Sequence, residues 1–256
     1  MRNTERNELA VCGFAAVKTL EKQNAHKIMR LYFSKDQAPK FGGLCKKMAA
    51  SKRPYNQVQD EKELEKLCGS VHHQGVVAMI ETPEILPLSR QIVGRWVQEK
   101  ESALILDRVG NANNLGAIVR SAAFFGIHNI VIPLDESQSS VTTSSYRVAE
   151  GGMEFVSIYS IKSIPSLLAD LDGKMLRAGT APDARKSIRG ISRMTRGQGA
   201  VVILGNEENG ISSEVRRNCD VLLSIPGGNK NSPIESLNVA QAASIICYEL
   251  SAQGGI

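Results

Sequence analysis

Near the end of this chain stand Gly205-Asn206-Glu207, Ile225-Pro226-Gly227-Gly228 and Glu235-Ser236-Leu237-Asn238-Val239. Far upstream stands Asn113-Asn114-Leu115-Gly116-Ala117-Ile118-Val119-Arg120-Ser121-Ala122. What surrounds these blocks decides the fold. Residues 103–107 (Ala-Leu-Ile-Leu-Asp) read as a buried strand, then a polar loop over 108–113, then an apolar-striped helix over 115–125 that Gly126 closes. Further strands are expected at 129–133, 155–158, 174–179, 200–204 and 221–225. The last element, 236–252, is a helix with Leu237, Ala240, Ala243, Ser244, Ile246 and Cys247 distributed for burial. Strands alternating with helices imply a parallel sheet covered on both faces. Ligands of such sheets bind at the carboxyl ends of the strands, and the blocks fall just after predicted strands.

Working outward, residues 10–80 alternate short helical and extended stretches. A helix begins over 10–20, strands lie at 28–33, 55–58 and 76–80, and helices at 44–50 and 61–67. Pro83 and Pro87 sit close together in what reads as a linker, with a bridging helix near 89–100. The expected organisation is a small α/β domain over 1–82, a linker over 83–101 and a larger α/β domain over 102–256.

The 256 residues carry a net charge of +5, unevenly placed. Residues 1–82 hold 14 Lys/Arg against 9 Asp/Glu, while the remainder balances at 17 each. Within 18–53 there are 10 basic and 2 acidic residues. Such a local excess attracts a polyanion, RNA being the obvious one, or serves as a solvated surface. No apolar run approaches the roughly 20 residues of a membrane span. The opening Met1-Arg2-Asn3-Thr4-Glu5-Arg6 is polar and leads into no signal-peptide pattern; a longer tail ahead of it is also compatible. Cys12, Cys45, Cys68, Cys219 and Cys247 are scattered and odd in number, so neither a disulfide framework nor a zinc site is indicated. A reducing cytoplasm is the natural reading.

Individual residues leave alternatives open. Asn114 suits a helix N-cap, and Arg120, off the apolar stripe, suits solvent. Gly205 permits close backbone approach, by a cofactor or otherwise. Glu207 suits a cap for a helix starting near 212, Asn209-Gly210 is a turn signal, and Ser236 suits the cap of the last helix. His72-His73 lacks a third metal ligand nearby. No G-x-G-x-x-G follows the first strand of either part and no P-loop occurs, which disfavours a Rossmann-type nucleotide enzyme.

Taken in order, the blocks resemble the signature of the SpoU (TrmH-like) RNA ribose 2′-O-methyltransferases of the SPOUT superfamily. His73-Gln74-Gly75, within His72-His73-Gln74-Gly75 ahead of them, resembles the H-Q-G that closes the family's amino-terminal domain, and the likeness spans about residues 10–250. The resemblance implies an L30e-like RNA-binding domain followed by a SPOUT domain whose carboxyl-terminal stretch forms a deep trefoil knot. It implies S-adenosylmethionine as cofactor, no metal, and a homodimer paired through the carboxyl-terminal domain. It assigns Arg120 to phosphate and 2′-hydroxyl activation, and Asn114, Glu207, Ser236 and Asn238 to positioning. Thr180, Ala181, Leu204, Gly205, Ile225, Pro226 and Leu237 correspond to the cofactor-enclosing segments. The substrate expected is structured RNA, rRNA ahead of tRNA. The other reading is an RNA-binding ribosome-assembly factor that keeps the fold and has lost efficient catalysis. Three features depart from the usual pattern: a longer loop over 227–234, with Lys230 as an extra RNA contact; Ala240 where many members carry Ser; and Tyr146 to Met153, with Glu150-Gly151-Gly152, in place of an S-x-G-A segment. The last resembles a subgroup known as YfiF-like.

Overall fold

A computed structural model describes residues 2–3, 7–135, 137–228 and 236–251. The chain divides into two compact units, one of residues 1–84 with 140–155, the other of residues 85–139 with 156–256.

In chain order the elements are β1 (Arg2–Asn3), β2 (Glu8–Cys12), α1 (Phe14–Asn24), β3 (Ile28–Phe33), α2 (Ala38–Ala50), β4 (Tyr55–Gln57), α3 (Lys62–Cys68) and β5 (Val76–Glu81). There follow β6 (Leu86–Pro87), α4 (Arg90–Glu99), β7 (Ala103–Asp107), α5 (Ala112–Phe124), β8 (Asn129–Pro133), α6 (Thr143–Ala149) and β9 (Ser157–Ile161). The remainder is α7 (Ile164–Asp170), β10 (Leu176–Thr180), β11 (Lys186–Ser187), α8 (Ile191–Met194), β12 (Ala200–Gly205), α9 (Ser213–Arg217), β13 (Val221–Ser224) and α10 (Val239–Ser251).

The first unit is built on a sheet ordered β1-β2-β5-β3-β4. β5 pairs antiparallel with both β2 and β3, and β3 pairs parallel with β4. Residues 10–12 are strand, not the start of a helix. All five residues of β2 are buried, Glu8 as the partner of Arg30 and Leu9 to Cys12 as a continuous apolar run, and helix α1 begins only after Gly13 at φ 99°. The His-Gln-Gly segment closes this turn: the Phe14 amide donates to Gln74 Oε1 at 2.7 Å and the Gly75 amide to Nδ1 of buried His73 at 3.0 Å. A Cβ on Gly75 would stand 2.6 Å from Ser34 Oγ, so glycine is required there. Helix α6 packs on β2, and Asn24 donates to Glu154 just beyond it at 2.5 Å. Residues 140–155, expected in the second domain, therefore complete the first unit's core.

The second unit is an eight-stranded sheet ordered β11-β13-β10-β12-β7-β8-β9-β6. Every pairing in it is parallel. Its central strands β7 and β12 are buried along nearly their whole length, as expected of strands covered on both faces. The expected linker over 83–101 is structured from Leu86 on. β6 extends the sheet beside β9, and α4, capped by Ser89, buries Trp96 completely among Ala103, Ile105, Val131 and Tyr159. Ile92, Val93 and Val97 lie along the same face, a spacing that makes this helix part of the core. Among the described residues no helix is long and apolar enough to cross a membrane.

Candidate active site at the carboxyl ends of the parallel strands

Strands β13, β10, β12 and β7 are neighbours, and most of the predicted site residues sit at their carboxyl ends, in the loops that leave them or in the first turns of the helices that follow, with Arg120 further along α5. The first such loop leaves β7 at Asp107, whose carboxylate is buried. One oxygen accepts from Arg108 Nε at 3.0 Å and the other from the Ser212 amide at 2.9 Å. Ser212 in turn caps α9. Asp107 thus ties the loop after β7 to the loop after β12.

The β12 loop folds back tightly on its own strand. Asn206 Oδ1 accepts from the amides of Glu208 and Asn209 at 2.9 and 3.2 Å, its amide group donates to Arg108 O at 3.1 Å, and the Gly210 amide returns to Asn206 O at 2.9 Å. The close approach that Gly205 permits is made by the chain itself. A Cβ there would collide with the backbone of Gly210 and Ile211. The turn leaves Glu207 exposed at its tip.

Three predicted site residues, distant in sequence, meet here. Asn114 Nδ2 donates to Glu207 Oε1, Asn238 Nδ2 donates to Asn114 Oδ1 at 3.2 Å, and the Ala240 amide donates to Asn238 Oδ1 at 2.9 Å. A carboxylate accepts only, so Glu207 dictates which way the Asn114 amide faces, and Asn114 dictates the facing of Asn238. The relay runs in one direction, from the first turn of α10 to Glu207. The capping expectations change accordingly. Asn111 caps α5, accepting from the Asn113 amide at 2.8 Å; Asn114 lies inside the first turn with its side chain free for the relay. Asn238, not Ser236, caps α10, while Ser212, not Glu207, caps α9. α5 and α10 are joined again by Ser121 Oγ and Ser244 Oγ at 2.7 Å.

Arg120 is exposed on α5. Six residues past Asn114 at about 100° per residue, it points roughly 120° round the helix from the relay and shares a face with Phe124, four residues on. Ser236 and Leu237 are exposed just before Asn238, Leu237 at 44%. Thr180 spends its hydroxyl on Ile203 O at 2.8 Å. Ala181 and Leu204 are buried, Ile225 is half-buried and Pro226 exposed. Of the 227–234 loop, residues 229–234, including Lys230, fall outside the described residues. Asp107 and Asn206 were not singled out from the sequence; the one available signal was a polar residue placed directly at the end of a buried strand.

The family model described as the SpoU rRNA Methylase family matches residues 101–248, and one described as RNA 2′-O ribose methyltransferase substrate binding matches residues 10–86. A protein of Acinetobacter baylyi named 23S rRNA (guanosine-2′-O-)-methyltransferase RlmB is 31% identical over 193 residues, covering 74% of this chain and 75% of that one. An "uncharacterized tRNA/rRNA methyltransferase" of Haemophilus influenzae is 30% identical over 171 residues, 67% of this chain; the match spans about half (47%) of that protein's own length. In fold, the chain is similar to an AdoMet-bound rRNA methyltransferase from Sinorhizobium meliloti, with a TM-score of 0.73 at 21% identity, covering 98% of this chain and 89% of that one. This chain belongs to the SpoU methylase family.

Proposed function

We propose that this protein is a cytoplasmic, S-adenosylmethionine-dependent methyltransferase acting on the ribose 2′-hydroxyl of structured RNA, rRNA ahead of tRNA. The observation that carries the reading is the Asn238–Asn114–Glu207 relay at the carboxyl ends of four adjacent parallel strands, in a chain of the SpoU family. Residues 10–86 match a substrate-binding family model, and the basic excess over 18–53 suits an RNA backbone. We assign that part, with residues 1–82 as its extent, to docking the substrate, and residues 102–256 to cofactor binding and transfer.

The residues present fit the cofactor. Leu237 is an exposed apolar side chain just before Asn238, and Ile225, Pro226 and the small Ala181 stand in the loops that leave β13 and β10. Apolar side chains among loop backbone groups suit an adenosine and a methionine chain. Thr180, Leu204 and Gly205 shape the strand ends beneath. When bound, S-adenosylmethionine supplies an electrophilic methyl group on a charged sulfur. The chain's own work is orientation. Arg120 holds an RNA phosphate through its bidentate fork and promotes loss of the neighbouring 2′-hydroxyl proton. Asn114, Asn238, Ser236 and Glu207 fix the reacting ribose. The expected trefoil threading of the carboxyl-terminal stretch belongs to this proposal.

A homodimer through the second unit is part of the same reading. Phe124 and Tyr248 are 82% and 60% exposed on α5 and α10. Edge-to-face contacts with Phe125 at 5.0 and 5.9 Å link them into one aromatic face, and an exposed apolar patch of this kind marks an interaction surface. Arg120 adjoins it, so pairing over this face brings that residue to the seam.

Labelled methyl transfer from S-adenosylmethionine to total RNA lacking its native modifications, followed by digestion to nucleosides, tests the proposal. Label is expected in a 2′-O-methyl nucleoside, and Arg120→Ala should abolish it. Full transfer by a folded Arg120→Ala variant would remove the role given to that residue. Cofactor binding without any transfer would point to an RNA-binding factor that no longer catalyses.

A further inference from the structure

The even charge balance of residues 83–256 hides a local cluster. Arg185, Lys186, Arg189, Arg193 and Arg196 fall within twelve residues that contain no acid. Their backbone placement is set by burial. Ile188, Ile191 and Thr195 point into the second unit at 1%, 0% and 3% exposure, which turns Arg189, Arg193 and Arg196 outward into solvent. Gly190, at φ 73°, makes the turn between them, and Glu249 of α10 accepts from its amide at 2.9 Å.

Four of the cations, Lys186, Arg189, Arg193 and Arg196, line one cleft of about 780 Å³. Its remaining wall includes Met175, Leu176 and Val221, at the amino-terminal ends of β10 and β13. Leu176 stands in the cleft and Thr180 at the cofactor segment, four residues along the same strand, or roughly 13 Å at the usual rise. The cleft is therefore a separate feature from the reaction site. Two carboxylates, Asp172 and Asp220, also line it. Both are ion-paired with Arg177, Asp172 at 2.5 Å, and that partnership holds the Asp220 carboxyl below its ordinary range. Among the described residues the four cleft cations have no carboxylate partner. The lining contains no aromatic ring, so it offers nothing for a base to stack on. Open, cationic, arginine-rich and without stacking platforms, it matches a phosphodiester backbone.

We propose that this cleft is a second docking track, which takes the phosphate backbone of the RNA substrate at a distance from the reacting ribose. The inference rests on the RNA methyltransferase reading above and adds to it where part of the RNA lies.

The test uses the full chain carrying Arg189→Gln, Arg193→Gln and Arg196→Gln together. Binding to an unmodified 23S rRNA transcript is measured across a salt series, beside S-adenosylmethionine binding and thermal unfolding. Each phosphate contact contributes about 0.7–0.9 to the slope of log affinity against log salt. The triple variant should lose roughly 2 from that slope and bind roughly tenfold or more weakly at physiological salt, with cofactor binding unchanged. An unchanged slope and affinity in a folded variant overturns the track while leaving the methyltransferase reading intact. Absence of RNA binding by the unmodified protein would overturn both. If the triple variant fails to fold, Arg193→Gln and Arg196→Gln alone should each reduce the slope by about 1, and no reduction in either overturns the proposal.

Discussion

Asn114 has one side-chain donor group and one acceptor, and both are committed: the amide nitrogen to Glu207, the oxygen to Asn238. Removing either end of this arrangement frees the amide to turn. Glu207 and Asn114 therefore act as one unit, and their loss should not multiply. Asn114→Ala and Glu207→Ala are each expected to lower the rate of methyl transfer by about 10²-fold, the scale of a misplaced reacting group, and the double variant by no more than either. Single-turnover transfer with saturating cofactor checks this, and losses that multiply would show that the two residues serve separate ends. Asn114 also shows where a sequence stops informing. An Asn at the start of a helical stretch suits a cap on local grounds. Whether it caps depends on Asn111 three positions earlier and on partners 93 and 124 residues away.

At the scale of elements, the β12 loop is the piece that presents Glu207. Gly205 ends the strand, Asn206 closes the turn through three hydrogen bonds of its side chain, and the backbone of Gly210 and Ile211 lies where a Cβ would stand. Gly205→Ala must displace that backbone. Overpacking of this kind costs about 1–3 kcal/mol, so the thermal midpoint should fall by several degrees, and activity should fall further than stability because Glu207 moves with the turn. Calorimetry beside the transfer assay separates the two; unchanged activity would mean that the tip of the turn is not part of the site. The helix over 90–99 carries a similar lesson. Two prolines nearby made the stretch read as a linker, yet Trp96 at 0% exposure, with Ile92, Val93 and Val97, makes α4 a covering layer of the sheet.

At the scale of the whole molecule, residues 140–155 belong with a unit whose other residues end at Glu84. Helix α6 lies against β2, and Gly151, at φ 96°, sits so close to Thr19 that a Cβ would collide with it. This gives a structural role to the segment that departs from the family's usual pattern. The second unit carries the exposed Phe124 and Tyr248. If two copies pair over that face, Phe124→Glu with Tyr248→Glu should convert a dimer to a folded monomer in sedimentation velocity. Methyl transfer should fall with it, because Arg120 adjoins the patch. Unaltered dimers would place the interface elsewhere.

The sequence by itself determined the class of fold, the order of strands along the chain and the identity of the residues at the strand ends. These follow from local patterns: continuous apolar runs make buried parallel strands, and polar residues directly after them face the ligand side of the sheet. Only with the resemblance to the SpoU family did Asn114, Glu207 and Asn238 read as one site; the residues alone also suited helix caps. Only the tertiary structure decided that these three form a single directed relay. It also decided that Asp107 and Asn206 brace it and that residues 140–155 join the first unit. Those outcomes depend on pairs separated by many tens of residues, which no local spacing records, because hydrogen-bond direction and burial are set by what the chain brings alongside.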